Sequence, residues 1–326
     1  MKEIKITDIE GFRIGNAQDM KGGSGCTVII SDEGAMAGVD VRGGGPAGRE
    51  TELLNPKMAA QEIYAVLLGG GSAFGLDAAG GVMKYLEEND IGFDVGVGKV
   101  PLVCASCIFD LICGDYYCRP DADMGFAACV DSEKHIGGKA QEDLPMGNAG
   151  AGTGATVGKF MGLQRLTKSG LGSYAVQIGN LKIGAIVSVN ALGDIFDPDT
   201  GEQIAGLLSE DGKSLCSTRE VMWNSVEVDK NVWSGNTTIG CIITNAALNK
   251  DQCNKLAGMA HNGYANAIKP VHTSADGDTI YFLAKGDVQV NQDALGDLGG
   301  YVMAKAIADS IAHTESAYGF KAPKDI

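Results

Sequence analysis

Basic side chains are scarce in this sequence of 326 residues: 26 Lys and Arg stand against 41 Asp and Glu, for a net charge of −15. That balance argues against a protein that coats nucleic-acid phosphates, since such binding is driven by clustered cations. Long apolar runs are missing as well. No stretch of eighteen apolar residues occurs, and the opening MKEIKITDIEGFRIG alternates charge and apolarity where a signal core would be uniformly apolar. The expectation is a cytoplasmic chain with no membrane partner. No Ser/Pro-rich linker separates two halves, so one compact domain over residues 1–326 is expected. The nine cysteines are irregularly spaced, which suits reduced thiols better than a disulfide framework.

What the chain does have is glycine. Its 48 glycines lack the three-residue period of collagen and imply many tight backbone sites in a globular protein of 44% hydrophobic and 21% charged residues. Two apolar-rich runs flank Ser31-Asp32-Glu33-Gly34, which reads as a hairpin turn. Apolar spacing predicts helices from Pro56 to Leu68 and from Gly75 to Glu88, with a glycine loop between them. Tyr174 to Ala191 predicts two strands joined at Gly179-Asn180, and Ile239 to Thr244 a buried strand. Asn249 and Gln252 form a capping box for a following helix, Thr279 to Ala284 reads as a strand, and Leu295, Leu298, Val302, Ala306 and Ile311 mark a last helix. The order of elements suggests sheets covered by helices.

Four constellations bear on chemistry. In Ser234-Gly235-Asn236-Thr237-Thr238, a Gly-Asn pair leads directly into Thr-Thr and a strand. Thr237 at a new chain terminus would carry an α-amine able to take its own hydroxyl proton; otherwise this is an ordinary turn. Asp276-Gly277-Asp278 places two carboxylates at alternate positions, on one side of an extended backbone, or else forms a solvated turn. The run GTGATVGK ends in Lys159 but is followed by Phe160, so the hydroxyl of a phosphate loop is missing; Lys159 is either a desolvated lysine or a surface one. Asn190, at the end of a predicted strand, has an amide suited to an oxyanion hole, or to turn chemistry. A fifth cluster, Cys104-Ala-Ser-Cys107 with Cys113 and Cys118, lacks the second pair of a structural zinc site and reads as buried packing. The four histidines show no ligand spacing, and His272, beside the aspartate pair, reads as shaping that loop.

These pieces occur in a recognisable order: Gly-Asn16-Ala, Gly38 to Pro46, GGGSAFGLDAAGGV, Val100-Pro101 with Ile108-Phe109-Asp110-Leu111, GTGATVGK, SVNALGDI, NTTIG and DGDT. Together they span nearly the whole chain, and the sequence resembles the P1-type peptidase family of L-aminopeptidase/D-esterases, β-aminopeptidases and nylon-oligomer hydrolases. The resemblance implies an α+β fold, a four-layer αββα sandwich similar to N-terminal-nucleophile hydrolases, made as a precursor. The cut would fall between Asn236 and Thr237, giving chains 1–236 and 237–326 that stay together, with Thr237 the nucleophile. By the same resemblance Lys159 lies near the nucleophile, Asn190 stabilises the oxyanion, and Asp276 and Asp278 are linked to the threonine. Phe109 stands where some members have Tyr, leaving an apolar substrate contact. The β-aminopeptidase branch commonly has a Ser nucleophile with a Ser/Glu pair, so this chain is nearer the nylon-oligomer branch.

The expected activity is hydrolysis of peptide or other linear amide bonds through an acyl-enzyme, with no metal or organic cofactor, in a homo-oligomer of processed pairs. The alternatives are acyl transfer of the ornithine acetyltransferase type, whose usual Ala-Thr-Met-Leu junction is absent here, and a noncatalytic Cys-rich metal-binding protein.

Overall fold

The computed structural model describes residues 1–227 and 235–326. The first part of the chain forms β1 (Lys2–Ile4), β2 (Arg13–Asp19), β3 (Ser24–Val41), β4 (Ala47–Arg49), β5 (Glu62–Gly69), α1 (Ala78–Glu88), β6 (Phe93–Asp94), β7 (Lys99–Val100), β8 (Val103–Cys107) and α2 (Ala122–Asp131). There follow β9 (Thr156–Val157), β10 (Thr167–Lys168), β11 (Leu171–Ile178), β12 (Leu181–Ser188), β13 (Asp194–Phe196), β14 (Gln203–Ala205) and α3 (Thr218–Trp223). The last part holds β15 (Ile239–Ala246), α4 (Lys250–Ala267), β16 (Ile268–Lys269), β17 (Thr279–Val288) and α5 (Gln292–Ala312).

One ladder runs β1-β11-β12-β15-β17-β3-β5-β8-β4, with β2 also on β3. The 18-residue β3 belongs to both ends of it: residues 24–30 pair with β2 and β5, while 36–41 pair with β17. The ladder therefore makes two sheets packed face to face. Alternate residues show the layers. Ile239, Cys241 and Ile243 of β15 meet Ile29, Val66 and Cys104 between the sheets, whereas Ile242 packs outward with Leu256 and Ala260 of α4 and Val302 and Ile307 of α5. On the other side Val28, Ala65 and Leu67 pack against Val82 and Leu86 of α1 and Cys129 of α2. The result is the αββα sandwich.

Several expected elements are present. Ile178 pairs with Leu181 across the two-residue turn at Gly179-Asn180, and Asn249 and Gln252 close a reciprocal capping box on α4. Two expectations are corrected. Ser31 to Gly34 is not a hairpin turn but an irregularity inside β3, which passes from Ile30↔Ala65 to Ala35↔Ile63; the reversal comes earlier, between Asp19 and Ser24. Pro56 to Leu68 is not a helix, for β5 occupies its second half. Ile63, Val66 and Leu68 face one core and Ala65 and Leu67 the other, so both faces are apolar and the run carries no period of two.

β11 lies so close to α5 that a Cβ at Gly172 would meet the Ala306 carbonyl oxygen at 2.2 Å and the Ser310 nitrogen at 2.4 Å. Gly172→Ala should cost about 1–3 kcal/mol in urea unfolding, as overpacked backbone contacts do. Asn249→Ala, which removes one cap, should cost about 1 kcal/mol.

Candidate active site

β15 and β17 run parallel with Ile239 opposite Thr279, so the residues just before each strand lie side by side. That register sets Thr237-Thr238 beside Gly277-Asp278. β12 runs antiparallel to β15 with Ser188 opposite Ile239, which brings Asn190 to the same end. Lys159 follows β9, and its backbone N–H donates to the Leu192 carbonyl at 3.0 Å, tying it to the segment after Asn190. Phe109 follows β8 in the facing sheet, and the Asn190 side-chain amide donates to its carbonyl at 3.1 Å. Strand ends thus assemble residues spread over more than 160 positions of sequence.

The Thr237 hydroxyl donates to the carbonyl oxygen of Asn236, its own preceding residue. The Gly277 N–H donates to that same oxygen at 3.0 Å, and the Thr237 N–H donates to the Asn190 carbonyl at 2.9 Å. Lys159 Nζ is buried against the Asn190 side-chain oxygen at 2.5 Å, the Gly235 carbonyl at 3.1 Å and the Asn190 carbonyl at 3.3 Å. Asp278 accepts the Thr238 N–H on Oδ1 at 2.9 Å and holds the His272 ring Nδ1 at 2.9 Å on Oδ2. Asp276 accepts both the N–H and the hydroxyl of Thr273, at 2.8 and 2.6 Å. The five expected catalytic positions are therefore brought together, with Asp278 one peptide from Thr237 and Asp276 directed to Thr273. Gly45, Ser72, Phe109, Asn236, Thr237 and Ala275 are among the residues lining a cleft of about 160 Å³ over the hydroxyl.

Burial sets the charge states. Desolvation lowers the Lys159 ammonium pKa to about 7, against the pull of Cys113, Asp276 and Asp110. It raises Asp276, and the neighbouring Asp278 carboxylate pushes the same way. Asp110 is lifted to about 6 by burial, although the Gly71 N–H and Ser24 hydroxyl stabilise its charge. A lysine and a carboxylic acid with such values both exchange protons near neutrality.

This is a desolvated threonine hydroxyl held on a carbonyl, beside a lysine near neutrality and two buried aspartates, on two sheets clasped by helices. The profile of peptidase family S58 matches residues 5–323. The chain belongs to peptidase family S58. An uncharacterised aminopeptidase of Mycobacterium leprae is 37% identical over 298 residues, 89% of this chain and 80% of that protein. The 6-aminohexanoate-oligomer endohydrolase of Kocuria sp. is 29% identical over 95% of this chain and 86% of its own. Among solved structures, the Burkholderia sp. β-aminopeptidase aligns with a TM-score of 0.66 at 19% identity, covering 98% of this chain and 90% of the other. The L-aminopeptidase D-Ala-esterase/amidase of Ochrobactrum anthropi, described as a variant of the Ntn hydrolase fold, aligns at 0.67 with 16% identity, covering 98% and 90%. This S58 chain is accordingly a hydrolase acting on amide bonds, from the group its ordered motifs resemble.

The Cys-rich reading finds no support in the placement of its thiols. Cys104 and Cys107 are three apart on the strand β8 and so point to opposite faces, and burial pushes Cys104 and Cys113 up to about 12. Among the described residues no group of three or more His, Cys, Asp or Glu is arranged to hold a metal ion, and no helix is long and apolar enough to cross a membrane. Ser234, the first residue of the expected nucleophile turn, lies outside the described residues. Sequence reasoning missed Gly277, and it read His272 only as shaping the aspartate loop, without its bonds to Asp278. Gly277 was read only as a spacer between carboxylates, yet a Cβ there would stand 2.6 Å from the Thr237 hydroxyl and 2.9 Å from the Gly45 carbonyl. Gly277→Ala should therefore lower amide hydrolysis by about 100-fold or more, measured as kcat/KM on a chromogenic amide, alongside a cost of about 1–3 kcal/mol in urea unfolding from the backbone contact with Gly45.

Proposed function

We propose that this S58 hydrolase is a self-processing N-terminal-threonine amidohydrolase, cut between Asn236 and Thr237 into chains 1–236 and 237–326 of one domain. The observation that carries the reading is the shared Asn236 carbonyl: the Thr237 hydroxyl and the Gly277 N–H both bind its oxygen. In the first step Thr237 Oγ bonds to the Asn236 carbonyl carbon and its proton passes to the neutral Lys159 amine. The oxyanion forms where Gly277 already donates. The C–N bond then breaks, the leaving nitrogen takes a proton, and water hydrolyses the resulting ester. The products are an Asn236 carboxylate and a free Thr237 with hydroxyl and α-amine.

In turnover the α-amine of Thr237 takes the hydroxyl proton, the oxygen adds to a substrate amide carbonyl, the amine product leaves with that proton, and water then hydrolyses the acyl-threonine to release the carboxylic acid and restore the free hydroxyl. Asn190 turns its side-chain amide from the Phe109 carbonyl to the oxyanion, Lys159 keeps Asn190 and the junction in register, and Asp278 and Asp276 orient the threonine segment. Phe109 supplies an apolar wall for the substrate. Short peptides and other linear amides are the substrate class, in keeping with relatives named aminopeptidase and 6-aminohexanoate-oligomer endohydrolase. No cofactor takes part in this scheme. Free buried thiols fit a reducing cytoplasm, and processed pairs assemble as a homo-oligomer.

Denaturing intact-mass measurement should give two species that sum to the precursor plus one water, split at 236/237. Thr237→Ala should remain one species and lose turnover; an uncleaved Thr237→Ala protein with full activity ends this reading. Because the Lys159 pKa is lowered to about 7, its neutral form grows as pH rises through that value. The rate of self-cleavage should climb between about pH 6 and 8 and then level off, and Lys159→Met should abolish the climb.

A further inference from the structure

His272 stands outside the catalytic set above, yet its backbone and ring grip one carboxylate oxygen. The residue adopts φ +58°, a left-handed conformation that side-chain-bearing residues rarely adopt. In this conformation its backbone N–H reaches Asp278 Oδ2 at 3.1 Å and its ring Nδ1 reaches the same oxygen at 2.9 Å. The other oxygen of that carboxylate accepts the Thr238 N–H, one peptide beyond the candidate nucleophile. Asp278 is 1% exposed, so without the ring donor one face of a buried carboxylate would lose its main side-chain partner.

The ring itself is clamped from α4. His261 meets it edge-on with centroids 4.7 Å apart, and Tyr264 stacks against it at 6.0 Å. His261 in turn contacts the Asp40 carbonyl at 3.0 Å, and Arg42 Nε donates to the Asp40 carboxylate at 2.8 Å. Burial lowers the His261 pKa to about 4, so this neighbour is a neutral ring across the physiological range. The titratable and charged groups placed near His272 include Asp278, His261 and Tyr264, with Asp40 and Arg42 behind His261 and Asp276 bound to the adjacent Thr273.

We propose that His272 is a positioning residue: it fixes the rotamer of Asp278 and, through the Thr238 N–H, the attitude of the Thr237 hydroxyl. The inference rests on the Thr237 reading, and acts on both self-cleavage and turnover. It requires Nδ1 to carry a proton, donated to Asp278, in every active state.

The test compares His272→Asn, His272→Gly and His272→Ala in the full chain, following self-cleavage by intact mass and kcat and KM on a chromogenic amide. Gly keeps the left-handed backbone and removes the ring; Asn keeps both the backbone preference and a side-chain N–H donor. Expected are losses in kcat of about tenfold or more for Gly and Ala with KM within about threefold, slower self-cleavage in both, and substantial recovery in Asn. Thermal melts identify the folded variants, and Gly against Asn is the deciding pair. A folded Gly variant with parental kcat and cleavage rate overturns the proposal, as does an equal kcat loss in Gly and Asn. If Thr237→Ala is fully active, it is the nucleophile assignment that fails, independently of the His272 series.

Discussion

Parallel pairing of β15 with β17 is the constraint on which the site depends. In a parallel pair both strands begin at the same end, so the peptides that enter them are neighbours without any further device. Here those peptides are Asn-Thr-Thr and Asp-Gly-Asp, forty residues apart in sequence. Thr279 N–H donates to the Thr238 carbonyl at 3.1 Å, and Gly277 and Asp278 continue the same exchange with Asn236 and Thr238. The site is a ladder extended past the ends of its strands, in which side chains and backbone share the bonding. A one-residue slip would exchange Gly277 for a residue with a Cβ at the point where the threonine hydroxyl sits.

Much of this is readable in the sequence where local chemistry is strong. The Gly179-Asn180 hairpin, the Asn249 cap and the strands at Ile239 and Thr279 each carry a turn or cap signal within a few residues, and each is found where those signals put it. β5 and β3 were harder because their character is set by what lies on both faces. A strand buried between two sheets on one side and helices on the other has no polar alternation to report. The site follows the same division. Residue types marked Thr237, Asp276, Asp278, Lys159 and Asn190 as candidates, and the family resemblance joined them. Gly277 acts through a close approach that leaves no mark in composition or spacing, and His272, legible only as a neighbour of the aspartate pair, acts through a backbone angle that the sequence does not show.

The polar interior around the cleft is held by backbone as much as by charge. Lys168, like Lys159, is fully buried; its ammonium meets the carbonyls of Gly152, Ala155 and Ser169, and desolvation lowers it to about 8. Asp110 binds the Gly71 N–H and the Ser24 hydroxyl and so fixes the glycine loop that carries Ser72 into the cleft wall. The glycine abundance is explained here: loops that bring several carbonyls to one lysine, or an N–H to one carboxylate, leave little room for side chains.

The position of β15 and β17 inside the ladder has one more consequence. Both lie between strands of the first 236 residues, β12 on one flank and β3 on the other. A break at 236/237 would leave the shorter piece as an inner plank of a sheet whose outer planks belong to the longer one. Folding of the continuous chain is unimolecular, whereas rebuilding the broken one requires two chains to meet. The intact form can thus return to its fold alone, while recovery of the broken form depends on concentration. Cutting the chain would convert an equilibrium stability into a kinetic one, with the interleaved strands as the barrier.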